Sequence, residues 1–193
     1  MKLILLLTLV AVISASVMTL APSARSGIMT QAPSAKSNVM TPALNVPSHC
    51  APQEKVIFSC ATTNAKIISL CSSSTLTASE GYLQYRFGPA GKPELVYPAT
   101  KEHPSKHFLF GHPLYTGAFG DYLKFKNGEY AYALFDFFIK FEGDKAGVVV
   151  SKSEEQIAYI PCKGGSQIAM GANDFEKIKI PRDPDEGGFV IPE

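Results

Sequence analysis

The residues whose chemistry could serve a reaction fall in a few short stretches. Three of the four histidines lie in His103-Pro-Ser-Lys-His107-Phe-Leu-Phe-Gly-His112-Pro, and imidazoles at that density are groups that bind zinc or copper. Prolines interrupt the stretch, and no carboxylate motif accompanies it. The expected state is therefore a loop of solvated histidines with no metal. The tail Arg182-Asp-Pro-Asp-Glu-Gly-Gly188 alternates acids as a calcium loop does, but the distant glutamate of an EF-hand does not follow, and a polar C-terminal turn is expected instead. Convergent carboxylates are the remaining catalytic option, because two of them flanking a glycosidic bond can hydrolyse it. Glu80, Glu94, Glu102, Asp121, Asp136 and Glu142 are the candidates. Asp136 stands out as an acid inside Phe135-Asp-Phe-Phe138, where burial would raise its pKa. A hydrolase reading requires Asp136 or a neighbour to sit in a cleft beside another acid.

Other catalytic signatures are missing. There is no Gly-x-Ser-x-Gly, no glycine-rich phosphate loop and no His-Glu-x-x-His, so no catalytic nucleophile and no cofactor are assigned. The aromatic residues give a different lead. Strand alternation puts Leu83, Tyr85 and Phe87 on one side and Tyr82, Gln84 and Arg86 on the other. A Tyr-Gln-Arg face joins amphipathic rings to hydrogen-bonding forks and suits contact with a protein or a glycan. The formal charge of +1, with basic and acidic residues intermixed, gives no electrostatic footprint for nucleic acid.

From Lys55 onward, short apolar or alternating runs separated by turn residues predict an all-β antiparallel fold, a sandwich or partly open barrel of about eight strands. The expected strands are 55–60, 66–71, 82–87, 94–97, 121–126, 129–139, 146–151 and 156–161, with one short helix at 172–178. Asn127-Gly128 suits a type I′ turn, which pairs Phe125 with Tyr130 and Leu123 with Tyr132 on the core face. The strand through Phe135, Asp136, Phe137 and Phe138 breaks alternation, so it bulges or is buried on both faces. A second hairpin pairs Val150 with Ile157 and Val148 with Tyr159.

The four cysteines, Cys50, Cys60, Cys71 and Cys162, predict two disulfides in an oxidising compartment. A turn over 61–65 places Cys60 opposite Lys66 or Ile67, leaving Cys71 roughly 13 to 17 Å away at the rise of a strand. Bridged Cα atoms lie within about 7 Å. Cys60 is therefore expected to pair with Cys162, and Cys50 with Cys71.

Upstream, Lys2 and the apolar run 3–13 read as a signal peptide over 1–15, with cleavage as late as about residue 24. Residues 16–49 carry an eleven-residue repeat, Met18-Thr-Leu-Ala-Pro-Ser-Ala followed by Met29-Thr-Gln-Ala-Pro-Ser-Ala. Its prolines and small residues predict a disordered leader. Residues 50–193 form the expected disulfide-bonded domain, without a membrane span, in a protein exported to the periplasm or the extracellular space.

The strings Phe58-Ser-Cys60, Ser69-Leu-Cys71, Gly81-Tyr-Leu-Gln-Tyr-Arg-Phe-Gly88, Glu94-Leu-Val-Tyr-Pro98 and Phe125-x-Asn-Gly-x-Tyr130 resemble a family of uncharacterised exported bacterial proteins. A fainter likeness to small periplasmic lysozyme inhibitors rests on size, β content and the Phe-Ser-Cys strand. The resemblance implies bacterial export. The expected function is a non-enzymatic exported binding protein that contacts a protein or glycan of the cell envelope, an inhibitor of an envelope-directed enzyme being one form. The alternatives are an envelope hydrolase with convergent carboxylates and a structural surface module.

Overall fold

The computed structural model describes residues 46–193 apart from 165 and 170, and the side chains of Gln167 and Ile168 are not described. The expected signal peptide and both copies of the repeat lie outside the described residues. The chain forms β1 (Lys55–Ala61), β2 (Lys66–Ser72), β3 (Leu83–Pro89), β4 (Leu95–Tyr97), β5 (Leu109–Gly111), β6 (Leu114–Tyr115), β7 (Ala118–Asn127), β8 (Tyr130–Ile139), β9 (Gly143–Lys152), β10 (Glu155–Pro161), β11 (Gln167–Ile168) and α1 (Ala172–Lys177). The eight expected strands and the short helix are all present. The additional strands, β5, β6 and β11, have three residues or fewer.

Two sheets make an antiparallel sandwich with no closed barrel. Sheet 1 runs β11-β1-β2-β3-β4, and sheet 2 runs β10-β9-β8-β7-β5 with β6 beside β7. Between them lies the main core, to which sheet 1 brings Ile68, Leu70, Leu83 and Tyr85 and sheet 2 brings Leu123, Phe125, Leu134 and Val148. One end of this core is filled with rings: Phe125 stacks on Tyr97 at 4.4 Å and on Tyr132 at 4.9 Å, with Tyr85 and Phe108 against it. A second cluster, Tyr122, Phe135, Phe137 and Val149, lies on the other face of sheet 2. The C-terminal segment covers it: Phe189 stacks on Tyr122 at 4.6 Å and on Phe137 at 5.7 Å, and Tyr115 donates its hydroxyl proton to the Phe189 carbonyl. β8 is thus buried on both faces, through Leu134 toward the main core and through Phe135 and Phe137 toward the second cluster, and it runs in continuous register with both neighbours, without a bulge.

The bridges are Cys50–Cys71 and Cys60–Cys162, with Cα atoms 5.3 and 5.6 Å apart. Cys60 stands opposite Ile68, one residue farther along β2 than expected, and this still leaves Cys71 out of its reach. The second bridge ties β1 of sheet 1 to the end of β10 in sheet 2. Its sequence separation of 102 is worth about 4 to 5 kcal/mol in the chain-entropy account.

Two registers differ from expectation. In the β7–β8 hairpin, Asn127 pairs with Tyr130 and Phe125 with Tyr132, so Gly128 and Glu129 are the central turn residues. Gly128 takes a φ of 61° and Glu129 does not turn positive, the pattern of a type II′ turn with glycine first. The partner moves by two residues, which keeps every side chain on its expected face. In the β9–β10 hairpin, Ser153 and Glu154 both have positive φ and make the two-residue turn, but the register shifts between Gln156 and Ala158. Val150 therefore pairs with Ala158 and Val148 with Ile160. Ile157, expected opposite Val150, bulges out and is exposed.

Candidate functional site

Gln84 and Arg86 share one side of β3, opposite Leu83 and Tyr85, and Tyr82, just before the strand, reaches the same Glu54 carboxylate as Arg86. That side is the outer face of sheet 1, and the chain leading into β1 lies across it. Glu54 is at the centre of this contact. Its carboxylate accepts Arg86 Nη1 at 2.6 Å, Arg86 Nη2 at 2.8 Å, the Tyr82 hydroxyl at 2.7 Å and the Ala51 amide at 2.7 Å, with Lys101 Nζ at 3.3 Å. Arg86 also donates to Gln84 Oε1 and to the His49 carbonyl, while Gln84 Nε2 donates to the Pro98 carbonyl at 2.8 Å. The small side chains Ser59 and Ser69 let the backbone approach: Ser59 Oγ donates to the Pro47 carbonyl, and His49 N donates to Ser69 Oγ. Pro47 and His49, placed by the sequence in the leader, are therefore fastened to the domain.

Burial pushes the Glu54 carboxyl up, but the donors from Arg86, Tyr82 and Ala51 outweigh it and hold the group at about 2. Gln84 is 4% exposed. The face expected to meet a partner is instead occupied by internal partners. Periodicity gives the side of the strand correctly, but it carries no information about a segment thirty residues away that covers that side.

The histidines are separated. His103 holds the Thr77 carbonyl, His107 pairs with Glu102 at 2.9 Å, and His112 Nδ1 lies 2.7 Å from Asp121 Oδ1. Among the described residues, the one group with metal-ligand spacing is Cys50, Glu54 and Cys71. Those two sulfurs are joined in a disulfide, so neither is a thiolate ligand. In the tail, Asp183 is buried and accepts the Tyr122 hydroxyl at 2.8 Å and Lys124 Nζ at 3.1 Å. The expected polar turn thus helps fasten the C-terminal segment to sheet 2.

A different site lies at the end of the sandwich away from the ring-filled core. β7, β8 and β9 each have ten residues, whereas β1, β2 and β3 have seven. Three residues of strand extend about 10 Å, so sheet 2 overhangs sheet 1. Every second residue stays on the inner face as the strands run outward. On β8 the sequence is Leu134, Asp136, Phe138; on β7 it is Leu123, Asp121, Phe119; on β9 it is Val148, Ala146, Asp144. Asp121 is the direct cross-strand partner of Asp136, Phe119 of Phe138, and Phe138 of Asp144. The inner face thus passes from core, to acids, to exposed rings.

Ile57, Phe58, Leu70, Leu134 and Phe175 floor a cavity of about 310 Å3 whose walls include Asp121, Asp136, Asp144 and His112. Phe119 and Phe138, 56% and 42% exposed with ring centroids 5.3 Å apart, form its lip. Leu114 pairs with Phe119 and is 76% exposed. Phe141 follows in the β8–β9 turn, 94% exposed and held at a φ of 73°, where a bulky residue is strained. Gly171 backs the Asp121 carboxylate so closely that a Cβ there would lie 2.9 Å from Oδ2.

Like charges directly opposite each other on adjacent strands destabilise a sheet. Burial raises the Asp136 pKa; the Ser166 hydroxyl, donating at 2.6 Å, opposes that shift, and the charges of Asp144 and Asp121 add to it. The cavity is therefore acidic, apolar at its base and aromatic at its mouth.

No protein-family model, no curated protein and no solved structure matches the chain. The site is read from its own geometry. Sequence reasoning singled out Asp136 and named Asp121 among the carboxylates, but it did not bring them together. The pairing was hidden by the register error, since the expected hairpin sets Asp121 opposite Leu134. Two disulfides fit a chain that matures in an oxidising compartment. Among the described residues no helix is long and apolar enough to cross a membrane.

Proposed function

We propose that the protein is an exported, non-enzymatic binding protein of the cell envelope that holds its partner at the overhanging end of the sandwich. The observation that carries this reading is the exposed ring pair Phe119–Phe138, with Leu114 paired to Phe119 and Phe141 in the β8–β9 turn, at the mouth of a cavity open to solvent. Large apolar side chains gathered on a surface mark interaction sites more often than the same residues scattered singly. Aromatic anchors around a pocket are also the usual energetic centre of an interface. The test is capture from envelope extracts under oxidising conditions, with a photo-reactive residue at Phe141 and, as a control, at the exposed Ile157. A single cross-linked product from position 141 that disappears in F119S/F138S supports the reading. Equal products from both positions, or a product indifferent to the ring substitutions, would overturn it.

A second reading, an envelope hydrolase, draws support from one arrangement: Asp136 sits in a cavity beside Asp121, with a raised pKa suited to a general acid, and Asp121 orients His112. Turnover of envelope glycans by the wild type but not by D136N would replace the first reading with this one.

A further inference from the structure

The acids at the overhang would by themselves be an ordinary solvated cluster. Two features set them apart. They stand at the neck of an apolar cavity of about 310 Å3, small by the standard of ligand pockets, and the neck is rimmed by two exposed phenyl rings. A neutral occupant would fill the base yet leave Asp121 and Asp136 opposed across adjacent strands. An aliphatic cation entering through the mouth meets both outer zones. Its charged head reaches the carboxylates at the neck, and its methylene stem lies against the Phe119 and Phe138 rings, whose faces also attract the charge. Among the described residues lining the cavity, His112 is the one basic side chain, and its Nδ1 is engaged with Asp121.

We infer that the cavity receives a lysine or arginine side chain presented by the partner protein from an apolar surface. This rests on the binding reading above, because Leu114 and Phe141 lie outside the cavity and can only be covered by something larger than one side chain. An arginine suits the two opposed carboxylates best, since its planar fork can donate to both.

The test is an NMR titration of the uniformly labelled, disulfide-intact chain. The probes are n-butylguanidinium, its uncharged analogue N-butylurea, the peptide acetyl-Phe-Arg-Leu-amide with its citrulline counterpart, and tri-N-acetylchitotriose. The cation is expected to move the amides of Phe119, Asp121, Asp136, Phe138 and Asp144 and to bind at least about tenfold more tightly than the urea, the scale of one charge-assisted hydrogen bond. The arginine peptide is expected to bind more tightly than the free cation and to shift Leu114 and Phe141 as well. D136N and D144N, both near-isosteric, should each weaken cation binding by about tenfold while leaving the urea unchanged. If the urea or the saccharide binds as well as the cation, the cavity is no cation receptor, although a binding site remains. If the cation binds and the peptide gains nothing, the occupant is a small cation and not a partner's side chain. If no probe perturbs these amides, the inference fails, and the cross-linking at position 141 alone decides whether the surface binds anything.

Discussion

Glu54 and Asp136 are both carboxylates on the sandwich, each surrounded by aromatic and polar side chains, and they are in opposite states. Glu54 has a bidentate arginine, a tyrosine, a backbone amide and a lysine within reach, and its side chain is closed off from solvent. Asp136 has one serine hydroxyl as donor and faces another acid across the strand pair. The first network is finished by the chain itself and fastens the entry segment to sheet 1. The second is left unfinished beside a cavity that opens to solvent. A buried polar network with every member paired stabilises the fold, whereas one that lacks a partner costs stability and points to something outside the molecule.

That contrast can be broken most severely at Glu54. E54Q leaves the Arg86 guanidinium, whose side chain is 11% exposed, without its counter-charge. The expected loss is about 3 to 5 kcal/mol in urea unfolding, with the disulfides intact. A loss below about 1 kcal/mol would place the pair among ordinary surface bridges.

Acid sharpens the comparison because the two groups respond with opposite signs. Glu54 is depressed in the folded state, so its contribution is complete above the unfolded value near 4.5 and is lost as pH falls toward about 2. Asp136 is raised, so ionising it weakens the fold as pH climbs through its folded value, and acid relieves that penalty. Wild type should thus lose stability between about pH 4.5 and 2 more steeply than E54Q. At neutral pH, D136N is expected to raise the melting temperature, since the amide keeps an acceptor for Ser166 and removes a crowded charge, and the gain should shrink on acidification. A D136N protein that melts lower than wild type at neutral pH would show that the carboxylate is internally satisfied after all.

The smallest stability effect is expected at the lip. F119S/F138S removes rings that are largely in solvent already, so unfolding should change by within about 0.5 kcal/mol per site. A larger loss would mean that the rings brace β7 against β8 rather than wait for a partner.

Most of the architecture was legible in the sequence, because alternation and turn chemistry act over a few residues. The eight main strands and the short helix follow from them. The hairpin excludes Cys60–Cys71 by distance, which leaves two connectivities, and the favoured one, Cys60–Cys162 with Cys50–Cys71, is the one present. The site was legible only in part. Asp136 broke a run of aromatics and so drew attention, but Asn127-Gly128 favours one turn while Gly128-Glu129 adopts another, and a slip of two residues keeps every face correct while exchanging every partner. The acid pair and the ring pair were both hidden in that slip. The short strands β5, β6 and β11 were not seen, because two or three residues carry no period. The covering of the Tyr-Gln-Arg face depends on Glu54 meeting Arg86 at a sequence separation of 32, which no local pattern encodes.

The overhang, and not the face around Arg86, is where this protein is proposed to meet its partner. The most direct measurement compares F119S/F138S with E54Q for both melting temperature and cross-linking from position 141. The ring variant is expected to keep its melting temperature and lose the cross-link, while E54Q melts lower yet still cross-links at temperatures where it is folded. Retained cross-linking in the ring variant together with its loss in folded E54Q would contradict the claim and return the binding surface to Tyr82, Gln84 and Arg86.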